Sequence, residues 1–427
     1  MRKLLEQTQW WDIARLRELQ LRRLDSLVRH ARDRVPYYQK LFAEIGFDSV
    51  YALCDLARLP LLSKCDIRAY CEELKARGAR DLTQYGTSGS TGEPLTFWVS
   101  RGRISHDIAA KWRAMRWWGL DIGDREVVVW GPPVKLGARN QLRNLRDVIL
   151  RTRLLPIKGI SNPQLDEYLK VIQRARPKML FGYPSALARL ATRANETGVD
   201  TGSLGIEVAF VTSEMLTPEW RQSIEQTFSC KVANEYGAKD AGFLARECPR
   251  GGMHITAEDL IVEIVDEHGR VVAPGEFGEV VVTHLMSAGF PFIRYRTGDI
   301  AALDPRLCEC GRALPLIKDI RGRTNECLVA ANGSLVHDSA LNYVIRDLGG
   351  VQAYKVIQDS LHKVRVLLIP GPRLPADHSV RIRAAYQALL GPEIDVSIET
   401  VGSIAPEPSG KHRHIVCHVS REVSLAS

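Results

Sequence analysis

The sequence has no apolar run long enough to cross a membrane. A spanning helix needs about 20 consecutive apolar residues, whereas the densest run of this chain is Val127-Val128-Val129-Trp130, which suits a buried strand. The N-terminal segment soon becomes polar and has no apolar core of a signal peptide. The nine cysteines of a chain without an export signal do not predict a disulfide framework. These absences predict a cytoplasmic protein without a membrane partner.

The chain also lacks internal repeats, low-complexity segments and long tracts of one charge sign. Its formal net charge is +8, yet the Lys and Arg residues are spread along the whole sequence. This distribution indicates a basic surface that attracts anionic small molecules such as nucleotides, and it makes nucleic acid the less favoured partner. A length of 427 residues with 45% hydrophobic residues is sufficient for one large and one smaller globular domain.

The order of apolar patterns predicts an α/β fold. An amphipathic helix begins near Ile13 and ends before Val35-Pro36. Strands then alternate with helices, which predicts a largely parallel sheet covered by helices on its faces. The predicted strands are 125–130, 178–183 and 206–212, and the predicted helices are 165–176, 185–196 and 217–228.

A change of pattern near residue 255 predicts further parts of the fold. Two β-rich runs, 259–265 and 279–284, flank a turn and indicate a small antiparallel piece appended to the α/β core. After Arg323 a new series of strands and one helix begins, which indicates a separate α+β domain. We therefore expect a large domain over residues 1–322 and a small C-terminal domain over residues 323–427.

The segment from Tyr85 to Pro94 is rich in glycine and hydroxyl residues. Its glycines allow backbone N–H groups to approach an anion closely, and its hydroxyl groups add side-chain donors, so the loop suits a polyphosphate. It is not a Walker loop, because no Gly-Lys-Ser/Thr follows. Composition alone is also compatible with a flexible loop that binds nothing. The candidate nucleotide-binding residues are Thr87, Ser88, Gly89, Ser90, Thr91 and Gly92.

The order of residues in this loop, and of four later motifs, resembles the adenylate-forming superfamily of acyl-CoA synthetases, luciferases and peptide-synthetase adenylation domains. The later motifs are Asn234-Glu235-Tyr236-Gly237-Ala238-Lys239-Asp240, Tyr295-Arg296-Thr297-Gly298-Asp299, Gly322-Arg323-Thr324-Asn325 and Pro408-Ser409-Gly410-Lys411. The turn Thr212-Ser213-Glu214 stands where the superfamily has another nucleotide contact. The resemblance implies ATP and Mg²⁺ as cofactors, and it covers most of the chain from residue 85 onward.

The resemblance also assigns roles to individual residues. It implies that Ser213, Glu214, Glu235, Tyr236 and Gly237 bind the nucleotide, with the Tyr236 ring on adenine. Further implied roles are Mg²⁺ binding for Asp240, ribose binding for Asp299, phosphate binding for Arg323, the domain hinge for Asn325 and the catalytic lysine for Lys411. Two positions depart from the superfamily pattern: Lys239-Asp240 replaces Thr-Glu, and Asn325 replaces Asp or Lys.

Two N-terminal segments, Val35-Pro36-Tyr37-Tyr38 and the run from Leu59 to Lys64, resemble the phenylacetate–CoA ligase and capsule-biosynthesis-type branch. Members of this branch bind aromatic or related acids, are often homodimers and commonly transfer the acyl group to coenzyme A. The resemblance places the acid pocket at Phe181, Gly182, Tyr183 and Pro184. A buried aromatic turn without substrate contact is an equal alternative for this segment.

Three cysteines and one histidine form a candidate metal site. Cys248, His254, Cys308 and Cys310 provide three thiolates and one imidazole, which is a complete tetrahedral set for Zn²⁺. Their spacing alone favours cysteines that never meet. Some members of the phenylacetate–CoA ligase-like group have a comparable pattern, however, and this resemblance implies a structural zinc ion with no open position for a catalytic water.

Together these features predict an AMP-forming acid–thiol ligase. A carboxylic acid, expected to be aromatic, would be activated as an acyl-adenylate and transferred to coenzyme A. Two alternatives remain open: transfer to a carrier-protein thiol or to an amine, as in an amide synthetase, and a non-catalytic zinc-containing protein that binds nucleic acid.

Overall fold

The structure is a computed structural model. It describes residues 1–86, 95–131, 145–157, 161–323, 327–332, 335–337, 341, 344–345, 348–371, 374–405 and 414–419, without the side chains of residues 322, 323, 327, 335 and 337. The chain divides into two compact units. The first comprises Met1–Thr297 and Ala301–Asp319, and the second comprises Gly298–Ile300 and Ile320–Ser427.

Helices of the first unit begin at residues that favour helix starts. Asp12 caps the longest helix by accepting a hydrogen bond from Arg15 N at 2.8 Å, and Thr217 caps another in front of Pro218. The bounds are α1 (Arg2–Thr8), α2 (Ile13–Arg34), α3 (Pro36–Ile45), α4 (Lys64–Ala69), α5 (Arg101–Arg116), α6 (Asn162–Ala175), α7 (Pro184–Thr197) and α8 (Pro218–Phe228), with 3₁₀ turns at Leu53–Arg58 and Gly202–Leu204. No helix in the described ranges is both long and apolar enough to cross a bilayer.

A hairpin and one large sheet contain the strands up to residue 323. The hairpin pairs β1 (Leu82–Gly86) with β2 (Thr96–Ser100). The large sheet has eleven strands in the order β10-β11-β12-β13-β9-β8-β7-β6-β5-β3-β4. Their bounds are β3 (Glu126–Val129), β4 (Thr152–Leu155), β5 (Met179–Gly182), β6 (Val208–Thr212), β7 (Lys231–Ala238), β8 (Gly242–Glu247), β9 (Met253–Ile255), β10 (Leu260–Val265), β11 (Gly278–His284), β12 (Tyr295–Asp304) and β13 (Leu316–Arg323).

Strands β3 to β7 form the parallel part of the sheet. Their residues alternate between two faces. One face packs against α6, α7 and α8, and the other packs against α5 through residues such as Phe181, Phe210 and Met115. Both faces of these strands are therefore covered, as expected for an α/β fold with a parallel sheet.

The second unit has a four-stranded sheet in the order β18-β17-β16-β19. Buried Gln358 joins this sheet to a small hairpin, because its side-chain amide accepts from Val329 N and donates to Val329 O, each at 2.8 Å. The bounds are β14 (Cys327–Val329), β15 (Leu335–His337), β16 (Val351–Ser360), β17 (Lys363–Pro370), α9 (His378–Leu390), β18 (Asp395–Thr400) and β19 (Ile415–Cys417).

The α/β fold predicted from the sequence is confirmed. The first long helix and the alternating strands and helices lie within a few residues of their predicted bounds. One difference concerns the antiparallel strands after residue 255, which are not an appended piece. They are hydrogen-bonded into the same sheet as the parallel strands, because β8 pairs with β7 on one side and with β9 on the other.

Candidate active site and metal centre

Three predicted site segments lie at the carboxyl ends of neighbouring parallel strands. Phe181–Pro184 closes β5, Ser213-Glu214 follows β6, and Glu235–Gly237 lies on β7. In the register of the sheet, Gly182 pairs with Val211 and Thr212 pairs with Glu235. The fold thus brings these segments together at one edge of the sheet, which is where open α/β sheets bind ligands.

The Phe181–Pro184 segment is tightly packed and aromatic. The Tyr183 ring stacks on Trp130 with ring centroids 4.2 Å apart, and Phe181 lies 5.6 Å from the same indole. Gly182 is required here, because a Cβ atom at this position would lie 2.7 Å from the Val129 carbonyl oxygen. Pro184 begins α7, where its fixed φ suits the first helical turn. The segment thus forms an apolar, aromatic surface of the kind against which the ring of a ligand could pack.

The Ser213-Glu214 turn has an unusual backbone. Ser213 has φ of 70°, a left-handed conformation that residues with a side chain rarely adopt and that often occurs at functional sites. A Glu214 side-chain oxygen accepts a hydrogen bond from Ser185 N at 3.2 Å, in the first turn of α7. A carboxylate at this end of a helix is favourable, because the helix dipole is positive there. Glu214 therefore links the ends of β5 and β6.

On β7, Glu235 lies opposite Arg246 of β8, and Gly237 lies opposite Phe243. The Glu235 carboxylate forms an ion pair with Arg246; the Arg246 side chain is fully buried and that of Glu235 is mostly buried. A Cβ atom at position 237 would lie 2.9 Å from the Gly242 carbonyl oxygen, so glycine permits the close approach of the two strands. Tyr236 lies between them in sequence and is half-buried. The β7–β8 hairpin is thus fixed on both sides of Tyr236.

Asp240 lies in the turn between β7 and β8 and is 5% exposed. Its Oδ2 atom accepts a hydrogen bond from the Tyr295 hydroxyl at 2.5 Å, and its Oδ1 atom accepts one from Ala241 N at 3.1 Å. Both carboxylate oxygens are therefore engaged by protein donors. Tyr295 begins β12, so Asp240 links two of the predicted motifs.

Helix α5 holds the same turn from a third side. The Arg103 side chain donates hydrogen bonds to the carbonyl oxygens of Asp240 at 2.6 Å and of Lys239 at 3.3 Å. Asp107, one turn later on α5, accepts from Phe243 N at 3.1 Å. Burial is the largest influence on Arg103 and lowers the pKa of its guanidinium, partly offset by the Asp107 carboxylate. Arg103 and Asp107 thus fix the start of β8 to α5.

Other predicted site residues lie outside these contacts. Asp299 is on β12 and is buried. Arg323 is the last residue of β13, and its side chain is outside the described part of the structure. Three predictions fall on residues that the structure does not describe: Lys411, Asn325 and the loop Thr87, Ser88, Gly89, Ser90, Thr91 and Gly92, which stands in the sequence between β1 and β2.

The four candidate metal ligands meet in space. The ligand atoms of Cys248, His254, Cys308 and Cys310 all lie within 4.8 Å of one another. Cys248 Sγ is 3.6 Å from Cys308 Sγ, and His254 Nε2 is 3.1 Å from Cys310 Sγ. With Zn–S bonds of ~2.3 Å, tetrahedral geometry requires sulfur atoms about 3.8 Å apart. The donor set and its spacing therefore fit a tetrahedral zinc ion.

Neighbouring residues also suit a metal. His254 Nδ1 lies 3.3 Å from the Leu314 carbonyl oxygen, which leaves Nε2 for the metal. Burial lowers the pKa of His254 to about 4, so the imidazole is neutral at pH 7, as a metal ligand must be. A Cβ atom at Gly252 would lie 2.5 Å from Cys308 Sγ and 3.3 Å from His254 Nε2. Gly252 thus leaves room for the cluster.

Comparison with known proteins identifies the family. The chain is 30% identical to a phenylacetate–coenzyme A ligase of Pseudomonas putida over 342 residues, which cover 77% of this chain and 75% of that protein. It belongs to the phenylacetate–CoA ligase-like branch of the adenylate-forming enzymes. The family profile for AMP-binding enzymes matches residues 84–287, and the profile for the CapK C-terminal domain matches residues 328–418. The branch inferred from the sequence motifs is thereby confirmed, and the chain is an enzyme of the AMP-forming CoA ligase type.

Two further relatives of this ligase-like chain extend over most of its length. Protein CapK of Staphylococcus aureus is 22% identical over 427 residues, covering 96% of this chain and 92% of that protein. A crystal structure of 2-hydroxyisobutyryl-CoA ligase in the postadenylation state has a TM-score of 0.77 and 21% identity, covering 97% of this chain and 92% of that one. At this level of identity the second comparison establishes the fold.

The motifs of this ligase-like chain did not reveal several residues that build the site. Arg103 and Asp107 come from a helix more than 130 residues away from the turn that they hold. The hydroxyl partner of Asp240 was not predicted, although Tyr295 is the first residue of a recognised motif. Gly252 stands inside the cysteine–histidine segment. Its position two residues before His254 is the one feature of the sequence that could have indicated its role.

Proposed function

We propose that this protein uses ATP to convert a carboxylic acid into an acyl-adenylate and then transfers the acyl group to coenzyme A. The observation that carries this proposal is the arrangement at the carboxyl edge of the parallel sheet, where the Phe181–Pro184, Ser213-Glu214 and Glu235–Gly237 segments converge in a chain of this family. In the first step, a carboxylate oxygen attacks the α-phosphorus of ATP and pyrophosphate leaves. In the second, the thiol sulfur attacks the acyl carbon and AMP leaves.

We propose that the acid is aromatic. The support is the group of aromatic rings formed by Trp130, Phe181 and Tyr183, with centroid distances of 4.2 and 5.6 Å from the indole to the other two rings. A substrate ring could stack against this surface, since offset and edge-to-face ring contacts are favourable. Aliphatic acids of equal size would lose these contacts, and we expect them to be poorer substrates.

We base the proposed roles of the nucleotide-binding residues on the family resemblance. We propose that the Thr87–Gly92 loop binds the ATP phosphates, that Asp299 accepts hydrogen bonds from the ribose hydroxyls, and that Lys411 stabilises charge on the reacting phosphate. Mg²⁺ would supply charge neutralisation at the phosphates when bound. Both carboxylate oxygens of Asp240 accept hydrogen bonds from the protein. We therefore propose that Asp240 positions the β7–β8 turn next to Tyr236 and does not coordinate the metal directly.

We propose that the cluster of Cys248, His254, Cys308 and Cys310 binds one structural zinc ion. All four ligands come from the protein, so no coordination position remains for a reactive water. The site would connect the end of β8 and β9 to the segment before β13. Its contribution would be to stability, because metal-binding free energy adds to folding free energy when the unfolded chain does not bind the ion.

The proposed overall reaction is tested by measuring AMP release with a panel of aryl and aliphatic acids. We expect release to require ATP, one of the aryl acids and coenzyme A together. AMP release that requires an amine in place of coenzyme A would instead identify an amide synthetase. AMP release that requires a carrier-protein thiol in place of coenzyme A would identify a thioester-loading enzyme. Absence of AMP release under every condition would contradict the proposal.

A further inference from the structure

Two cations lie on the α5 face of the sheet, beside the Phe181–Pro184 segment. Arg246 on β8 is completely buried, and its guanidinium carbon lies 4.2 Å from the centroid of the Phe210 ring. Lys111 on α5 is partly buried, and its Nζ atom lies 3.7 Å from the centroid of the Phe181 ring. Because Phe181 pairs with Phe210 across β5 and β6, the two cations stand on one aromatic surface.

The two cations differ in how their charge is balanced. Arg246 forms an ion pair with Glu235. In the described part of the chain, the Lys111 ammonium has no hydrogen-bond acceptor and no carboxylate within ion-pair distance, and it lies instead over the ring of Phe181. Ammonium groups in such surroundings normally have an anionic or hydrogen-bonding partner, since partial burial removes water from the charge. Among the residues that the structure describes, the Lys111 ammonium is thus left without a protein anion and is available to an anionic ligand.

The electrostatic surroundings agree with this view. The pKa of Lys111 is lowered to about 8, chiefly by burial and also by the positive charge of Arg246, while the Glu126 carboxylate opposes both effects. Glu126 lies beyond ion-pair distance of Lys111, and its Oε2 atom accepts a hydrogen bond from the Thr152 hydroxyl at 3.1 Å. At pH 7 the ammonium is still mostly protonated, and an added anion next to it would be stabilised.

The position of Lys111 relates this unpaired charge to the substrate. Phe181, which its ammonium contacts, closes β5 at the edge where the acid is proposed to bind. A substrate ring against Trp130 and Phe181 would place its substituents close to the Lys111 side chain. The pocket wall thus has an aromatic surface with a cation beside it.

We propose that Lys111 is a specificity-determining residue that binds a second acidic group of the substrate, so that the enzyme activates one carboxylate of an aryl acid that carries two anionic groups. The proposal rests on the proposed adenylation function and narrows its substrate class. One carboxylate reacts with ATP, and the other forms an ion pair with Lys111. The ion pair of Arg246 with Glu235 fills the adjoining space.

Matched pairs of acids test the inference. Acid-dependent exchange of pyrophosphate into ATP is measured for benzoate against isophthalate, and for phenylacetate against 1,3-phenylenediacetate. We expect the wild type to prefer the diacid of at least one pair. The hydrogen-bonded ion pair between Lys111 and the second carboxylate should raise kcat/KM for the diacid by a factor of about 10 to 100. Lys111→Met should therefore lower the ratio of kcat/KM for the diacid to that for the monoacid by about this factor.

Two further variants separate binding from folding effects. Lys111→Arg keeps a cation and should retain part of the diacid preference. Lys170→Met removes a lysine from the exposed side of α6, where it pairs with Glu167, and should leave the ratio unchanged. If Lys111→Met does not fold, Lys111→Gln provides the same comparison with a polar side chain of similar length.

The outcomes are distinguishable. Exchange that occurs with monoacids, together with a diacid-to-monoacid ratio that Lys111→Met does not change, would overturn this inference and leave the proposed function intact. No exchange with any acid, in wild type and variants alike, would overturn the proposed function and this inference with it.

Discussion

The contact between Tyr295 and Asp240 permits a quantitative prediction. Both side chains are buried, and the 2.5 Å hydrogen bond joins a hydroxyl donor to a carboxylate acceptor. Tyr295→Phe removes the donor and leaves one carboxylate oxygen in a site that water does not reach. Since a hydrogen bond to a charged group contributes about 1.5–3 kcal/mol, we expect the free energy of unfolding to fall by about 2 kcal/mol.

Urea unfolding followed by tryptophan fluorescence measures this loss. All eight tryptophans lie within the first 220 residues, so the signal reports on the first unit, which contains both partners. Tyr38→Phe is the matched control. The Tyr38 hydroxyl is also buried, but both of its partners are neutral: it donates to the Pro291 carbonyl oxygen at 3.3 Å and accepts from Ile293 N at 3.4 Å. Both bonds are neutral and long, so we expect their joint loss to cost about 1 kcal/mol, roughly half the loss for Tyr295→Phe.

A double-mutant cycle identifies the partner of the hydroxyl. In an Asp240→Asn background, Tyr295→Phe should cost less than about 1 kcal/mol, because the charged acceptor is already absent. The loosened β7–β8 turn should also raise KM for ATP, through its neighbour Tyr236. An equal cost of Tyr295→Phe in both backgrounds, or a cost no larger than that of Tyr38→Phe, would refute the reasoning.

Two other predictions concern the metal cluster and the pH dependence of specificity. Elemental analysis of the purified protein should find about one zinc ion per chain. Gly252→Ala should lower this zinc content, because the added Cβ atom would lie 2.5 Å from Cys308 Sγ. An unchanged zinc content in the variant would contradict the assigned geometry. The preference for a diacid should decline as pH rises through about 8, because the free enzyme then loses the Lys111 proton that the second carboxylate requires. Burial also lowers the pKa of the facing Arg246 to about 9, so loss of its charge at higher pH would act in the same direction. A preference that stays constant from pH 7 to pH 9.5 would exclude Lys111 as the group responsible.

Local features of the fold were predictable from the sequence because their causes are local. The Thr217-Pro218 pair predicts a helix start. In the structure Thr217 is the N-cap and Pro218 is the first helical residue. The long N-terminal helix ends before Val35-Pro36, because proline disfavours a helical conformation of the residue that precedes it. Predicted bounds therefore differ from the observed ones by only a few residues.

Long-range arrangement was less accessible. Nothing in the local pattern indicates that β3 lies between β4 and β5, or that the strands after residue 255 continue the main sheet. The hydrogen bonds from Arg103 to the Asp240 turn join residues 137 positions apart, and no periodicity encodes such a distance. The meeting of Cys248 with Cys308 was expected from family resemblance, because their spacing alone argued against it.

The most direct test of the central claim is acid-dependent exchange of labelled pyrophosphate into ATP, measured without coenzyme A, for the wild type and Lys411→Ala. This exchange reports formation of the acyl-adenylate and requires no acceptor. We predict exchange with at least one aryl acid in the wild type and a loss of at least about 100-fold in the variant, as expected when a charge-stabilising group is removed. Exchange of equal rate in both proteins would contradict the role of Lys411, and no exchange in the wild type with any acid would contradict the adenylation itself.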